Sequence, residues 1–321
     1  KHSINLAAIY APNRRGKVSP NTQEVYDLKG TKYNEYWGWQ DGEKRNSRVK
    51  RVVEPIVILN HDWIIDENSS LETSIGFQFG EMGNSRLGYA GGSNPSPAYY
   101  QDLPSYFLAD SNGPNYQGAY IAQENFVNNG QINWNRIYDA NITNNLANIN
   151  AAYVLYEDRV DDTQITFNSA YLREINDNIK ISTSINYRNL ISDNFAEITD
   201  MLGGSGYSNI DSFDFLDYNL LAPNSIVSDG DRFRYHYKMN VDEISAFIMA
   251  DFSFNKLDFF IAGNVTSTNY QRDGIFENEA NVGNSAGLGE KVTFDGYGLK
   301  TGITYKFSGK HIIDFNSAYI Q

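Results

Sequence analysis

Apolar and polar residues alternate with a period of two over too many stretches for anything but a large β-structure. In Leu71-Glu72-Thr73-Ser74-Ile75-Gly76-Phe77-Gln78-Phe79-Gly80 the odd positions are Leu, Thr, Ile, Phe and Phe, and the even ones Glu, Ser, Gly, Gln and Gly. Successive strand side chains point to opposite faces, so one face is apolar and the other polar. The split recurs in Ile179, Ile181, Thr183, Ile185 and Tyr187 against Lys180, Ser182, Ser184, Asn186 and Arg188. It recurs again in Tyr297, Leu299, Thr301, Ile303, Tyr305 and Phe307 against Gly298, Lys300, Gly302, Thr304 and Lys306. Weaker versions lie at 51–65, 160–173, 243–254, 257–270 and 311–321, and residues 3–10 form another. That makes about nine strands. Helical periodicity is nearly absent, and Asn144–Ala152 is the one stretch expected to make a helical turn.

The connections alternate between short and long. Asp66-Glu67-Asn68-Ser69-Ser70, Asn176-Asp177-Asn178, Asn255-Lys256 and Ser308-Gly309-Lys310 are short and rich in turn-forming residues. Between them run 11–48, 86–150, 195–236 and 273–290. Long loops are uncommon inside compact domains, and here they fall on one end of every strand pair. That is the layout of an outer-membrane barrel, with tight periplasmic turns and long extracellular loops. No stretch approaches the length of an apolar membrane helix, but a membrane strand needs only about 9–11 residues. Trp63, Tyr171, Phe252, Phe254, Phe259, Tyr305 and Phe307 lie within a few residues of a short turn, where a barrel carries its periplasmic aromatic girdle.

Composition removes other classes. Cysteine is absent, so neither a disulfide framework nor a Cys-ligated metal site is possible. The formal charge of −13 has no basic cluster to set against it, so nucleic acid is not an expected partner. Aromatics at 14% exclude intrinsic disorder. No charged segment followed by an apolar run marks a signal peptide near Lys1. Single-chain bacterial barrels use an even number of strands, so about nine strands over residues 1–321 read as one partial domain, less than half of a larger barrel.

Several segments carry a resemblance to a known family. They are Tyr33-Asn34-Glu35-Tyr36-Trp37-Gly38-Trp39-Gln40 with Lys44-Arg45-Asn46-Ser47-Arg48, Asn84-Ser85-Arg86-Leu87, and Asn94-Pro95-Ser96-Pro97-Ala98-Tyr99-Tyr100 through Leu103-Pro104-Ser105-Tyr106-Phe107. Ile132-Asn133-Trp134, Leu202-Gly203-Gly204, Tyr270-Gln271-Arg272 and Gly296-Tyr297-Gly298-Leu299-Lys300 follow. In these the chain resembles the TonB-dependent receptors of bacterial outer membranes, of the large long-loop type. The resemblance implies a barrel of roughly 22 strands around a plugged lumen, an N-terminal plug domain, and import of a scarce ligand driven by the inner-membrane TonB complex. A surface lipoprotein is a further partner to look for. The plug and the terminal strand are missing from these residues.

Candidate site residues are few. Tyr99, Tyr100, Tyr106, Phe107 and, further on, Trp134 sit among amides and hydroxyls, a mixture that can stack on a small molecule, glycan or peptide while hydrogen-bonding it. The same aromatics could instead pack the loops into a rigid cap. Asp211, Asp214, Asp217, Asp229 and Asp231 offer oxygen ligands for a structural calcium ion, or form a solvated acidic loop. No other cofactor is expected. His2, His61, His236 and His311 lack metal-ligand spacing. Gly283-Asn284-Ser285-Ala286-Gly287 has the letters of a nucleophile elbow without its strand and helix, and Gly203-Gly204-Ser205-Gly206 lacks a phosphate-loop lysine. No catalysis is expected. Two rivals remain: a secreted β-sandwich lectin or adhesin, and a soluble glycan hydrolase.

Overall fold

Nine antiparallel strands follow one another in chain order across one sheet: β1 (His2–Ile9), β2 (Ile56–Asp66), β3 (Ser69–Tyr89), β4 (Tyr153–Asn176), β5 (Ile179–Asp200), β6 (Arg232–Ser253), β7 (Leu257–Gly274), β8 (Val292–Ser308) and β9 (His311–Ile320). The computed structural model describes residues 1–109 and 111–321. Among them the sheet does not close: β1 pairs only with β2, and β9 only with β8. Each stretch of period two has become a strand. The connections alternate as expected, with two or three residues at one end and 10–55, 90–152, 201–231 and 275–291 at the other. Two of the tight turns are built by a side chain: Asn68 N–H donates to Asp66 Oδ1 at 2.8 Å, and Asn178 N–H to Asn176 Oδ1 at 2.9 Å.

Register carries the alternation across the sheet. Leu59, Ile75, Phe167, Tyr187 and Ile244 stand opposite one another on β2 to β6. In the half near the short turns no second layer of described residues covers this face: Ile185, Ile244, Ile248, Ile261 and Leu299 are each more than half exposed. At the short-turn end the same face holds stacked rings, with Phe252 and Phe259 4.4 Å apart and His2 stacked on Trp63 at 5.3 Å. The opposite face is bonded laterally. Lys180 reaches Glu174 at 2.8 Å, Arg188 reaches Glu243 at 3.1 Å, and Lys306 reaches Asp258 at 2.6 Å. Asn186 bridges Asn168 and Ser245. Glu72, Gln78, Asn264 and Lys300 share this face by alternation.

The central strands are far longer than a bilayer requires. β4 has 24 residues and β3, β5 and β6 have 21, 22 and 22. At roughly 3.3 Å per residue β4 extends about 80 Å along its axis, against a hydrocarbon core of about 30 Å. The half near the long loops is covered on both sides. Above the apolar face sits a helical lobe of α1 (Gln23–Lys29), α2 (Pro104–Leu108), α3 (Tyr116–Asn129) and α4 (Trp134–Leu146). Trp134 and Ile137 of α4 pack with Tyr153, Leu87 and Tyr89. On the polar side the 201–231 loop lays Met201, Tyr207 and Val227 against Tyr156, Ala196, Ile198 and Phe233. These helices correct the expectation of an almost helix-free chain. The turn expected at Asn144–Ala152 is the frayed end of α4.

One glycine shapes the border between the two halves. Beyond β2, residues Val49–Val53 take over as the neighbour of β3. Gly80 (φ 140°) meets them where a Cβ would run into the Val53 carbonyl, so only glycine fits there.

Candidate functional site

The long loops form several clefts among the described residues, and two of them lie on opposite sides of the sheet. The outer cleft, about 370 Å³, lies between residues 93–97 and helices α3 and α4. Its walls include Asp102, Phe107, Asn125, Gln131, Arg136 and Tyr153. Arg136 Nη2 donates to Ser93 Oγ at 3.0 Å, and Tyr153 Oη to the Ser93 carbonyl at 2.8 Å, which ties the rim to α4 and β4. Gln131 Oε1 is buried and has no hydrogen-bond partner among the described residues. A buried acceptor of that kind is costly unless something donates to it. The cleft therefore presents an arginine, amides, a carboxylate and three aromatic rings to whatever enters.

Of the aromatics singled out in sequence, Tyr99, Tyr100, Tyr106 and Phe107 form one chain of edge-to-face rings with successive centroids 4.9, 5.9 and 5.7 Å apart. Phe107 lines the outer cleft, while Tyr100 and Tyr106 are exposed beside it. The turn that presents them is pinned by Glu24 of α1, whose carboxylate accepts from Ser105 N–H at 2.8 Å and Ser105 Oγ at 2.6 Å. This carboxylate does the work of an N-cap for α2, which has no side-chain cap of its own. Trp134 does not join them. It is fully buried under Arg45, out of reach of any ligand, and its role is packing.

The inner cleft, about 130 Å³, opens on the polar side of the sheet between Tyr156, Tyr207, Tyr218, Phe213, Asp211 and Arg234. Arg234 lies in a β-bulge of β6 between Phe233 and His236, with φ of 64°. A non-glycine residue held there is strained. The strain is fixed by Asn209, whose Oδ1 accepts the Arg234 N–H at 2.9 Å. The guanidinium stands 5.5 Å from the Tyr156 ring and 5.6 Å from the Tyr218 ring, and donates to Tyr156 Oη at 2.8 Å. Burial pushes the Tyr218 hydroxyl up to about 12 and raises that of Tyr207 further. Both stay neutral donors at any ordinary pH.

The carboxylates weighed as calcium ligands serve their own loop. Asp211 accepts from the N–H groups of Asp214 at 3.0 Å and Phe213 at 2.8 Å and from Tyr218 Oη at 2.8 Å, and these bonds hold its pKa below the usual carboxylate range. Asp217 accepts from Asn224 N–H at 2.9 Å, and Asp231 from Ser228 N–H at 2.8 Å. Asp214 and Asp229 are exposed. Among the described residues no three His, Asp or Glu side chains come together as a metal site. Ser285 sits in the 275–291 loop, bonded to Asn278 N–H and the Asn281 carbonyl, with no helix following it. Sequence reasoning missed Arg234 and Gln131. No local signal marks either, because each is defined by chain that packs against it from far away.

No protein-family model matches the chain, and no curated protein matches it. Among solved structures the chain is similar to a double mutant of the ferric enterobactin receptor PfeA from Pseudomonas aeruginosa, at 10% identity over 99% of this chain and 34% of the other, with a TM-score of 0.46. It is similar to the open form of the ferric-catecholate import receptor Fiu from Escherichia coli K12, at 10% identity over 99% and 44%, with a TM-score of 0.47. A FadL homologue from Pseudomonas aeruginosa is similar at 10% identity over 100% and 57%, with a TM-score of 0.36. The chain spans between about a third and under two thirds of the length of these three proteins. Likenesses this distant bear neither on family nor on function.

Proposed function

We propose that the chain forms part of an outer-membrane β-barrel of the TonB-dependent receptor type, which captures a ligand in its extracellular loops and imports it. The observation that carries this reading is the pairing of a bare apolar face with long connections at one end only. A face of exposed Ile, Leu, Val and aromatic residues running across nine strands is intolerable in water and suited to lipid. A secreted β-sandwich is disfavoured because its apolar face would lie under a second sheet, and a soluble hydrolase for the same reason. Outer-membrane lipids are then the partner of the apolar face. A small molecule, glycan or peptide is the partner of the clefts, and the reading involves no covalent chemistry. The finer parts rest on the family resemblance: roughly 22 strands, an N-terminal plug against the polar face, the inner-membrane TonB complex as driver, and a surface lipoprotein beside the loops. Mixed charges on the polar face suit a hydrogen-bonded plug better than a one-sign ion filter.

The test is biochemical. The full-length protein should fractionate with outer membranes, need detergent for extraction and migrate faster unheated than boiled on a denaturing gel. Deleting its gene should abolish energised uptake of its ligand. Recovery as a water-soluble monomer would refute the reading.

A further inference from the structure

Arg234 is a strained, half-buried cation with most of its donors unused. Its backbone is held at positive φ, its guanidinium is half-buried, and it makes no ion pair among the described residues. Of five N–H donors, one reaches Tyr156 Oη. Neither nearby carboxylate hydrogen-bonds the guanidinium, though both act on it through space: Asp158 bonds Arg86 and Tyr235, and Asp211 bonds Tyr218 and two backbone N–H groups. Tyr156 and Tyr218 lie within cation–π range of the guanidinium, and Arg234 itself lines the cleft.

The geometry points to the inner cleft as a subsite for a carboxylate group of the ligand, received by Arg234 between Tyr156, Tyr207 and Tyr218. A guanidinium edge matches the two oxygens of a carboxylate. The Tyr156 and Tyr207 hydroxyls can each add a donor, Tyr218 already donating to Asp211, and the three rings supply flat apolar walls for the carbons behind the carboxylate. A space of about 130 Å³ equals roughly four water volumes, enough for an acidic terminus and its first atoms and too little for a whole oligomer. The inference deepens the receptor reading and rests on it for the side from which the ligand arrives, while the binding event stands by itself.

Two sources of the carboxylate are separated by using both as probes on the purified full-length protein in detergent. N-acetyl-trialanine is titrated against its C-terminal amide, and trigalacturonate against its methyl ester. At least one acid should bind, with its neutral counterpart weaker by about tenfold or more, as expected for loss of a charge-assisted bidentate pair. Arg234→Gln should weaken the acid by a similar factor and leave the neutral form unaffected. Ser212→Glu, which sets a carboxylate at the cleft wall without touching the cradle, should exclude the acid while heat-modifiable migration stays normal. If Arg234→Gln does not fold, Ser212→Glu decides alone. The inference fails if neither acid binds at millimolar concentration, if acid and neutral forms bind alike, or if Ser212→Glu binds acid as well as the parent does. A protein that needs no detergent would instead sink the receptor reading, and the titration remains informative in water.

Discussion

Arg45 and Trp134 hold each other twice. The guanidinium lies over the indole at 4.5 Å from the ring, and the indole Nε1–H donates to the Arg45 carbonyl at 3.2 Å. Arg45 belongs to the hairpin Trp37–Gln40 and Glu43–Asn46 in the first long loop, and Trp134 opens α4 in the second. Arg45 goes on to Asp200 at 2.6 Å and Tyr138 Oη at 3.0 Å, which joins both loops to the end of β5.

Trp134→Ala should therefore release the hairpin from the helical lobe. Removing a fully buried tryptophan costs about 3–5 kcal/mol. The loss should appear as faster proteolysis within 37–46 and 134–146 while the detergent-solubilised sheet keeps its heat-modifiable migration. Unchanged protease resistance would refute the pairing as a lobe anchor.

Asn141 is a second anchor, buried completely at the third core position of α4. Its Nδ2 donates to the carbonyls of Tyr153, Met201 and Leu202 at 2.8, 3.0 and 3.1 Å. Its Oδ1 accepts from Ala152 and Tyr153 N–H at 2.9 and 3.0 Å. Asn141→Leu would strand these backbone groups at about 1–3 kcal/mol each for those left without water. Hydrogen exchange at the Ala152 and Tyr153 amides should accelerate by orders of magnitude; equal protection in the variant would contradict this.

The two faces of the spanning half predict opposite tolerances. Ile303→Arg or Ile181→Arg, on the lipid side, should cost about 2–4 kcal/mol near the midplane. Ser182→Arg, on the polar side, should cost little. Denaturant unfolding in lipid vesicles measures the contrast, and equal effects would reverse the face assignment.

His236 predicts a pH dependence confined to the outer half. Burial lowers its pKa and Arg232 lowers it further, while Asp193, bonded to it at 2.9 Å, works in the other direction. The folded pKa lies below the ordinary value of about 6.5, so the unfolded chain binds the proton more readily between the two. The local stability is present above the ordinary value and declines as pH falls through it toward the folded value. Exchange of amides around 232–236 should speed up on acidification from neutral pH, and His236→Gln should flatten that slope. A parent slope as flat as the variant's would argue against the histidine.

The strands were legible because their signal is local: Ile75, Phe77 and Phe79 announce a face every second residue whatever lies beside them. The helices were not. In α3 the buried residues are Ala119, Ala122 and Phe126, and in α4 they are Trp134, Ile137 and Asn141. Both rows have helical spacing, but one is written mostly in alanine and the other ends on an asparagine, so the apolar stripe fades. The caps Asn115 and Asn133 did stand in the sequence, each accepting from the N–H three residues on, hidden among 38 asparagines. Of the aromatic site, Tyr99 to Phe107 came together as a local run should. Trp134 was misplaced because burial by a hairpin some ninety positions earlier leaves no trace nearby.

A sheet clothed on both faces at one end and bare at the other is two materials in one set of strands. The clothed end carries its own solvent in the form of packed loops, so its order depends on side-chain complementarity. On the membrane reading proposed above, the bare end borrows its solvent from the bilayer, so its order depends on lipid or detergent. Extraction conditions that loosen the second should leave the first standing, and the loop clefts would keep their shape in micelles that barely hold the sheet.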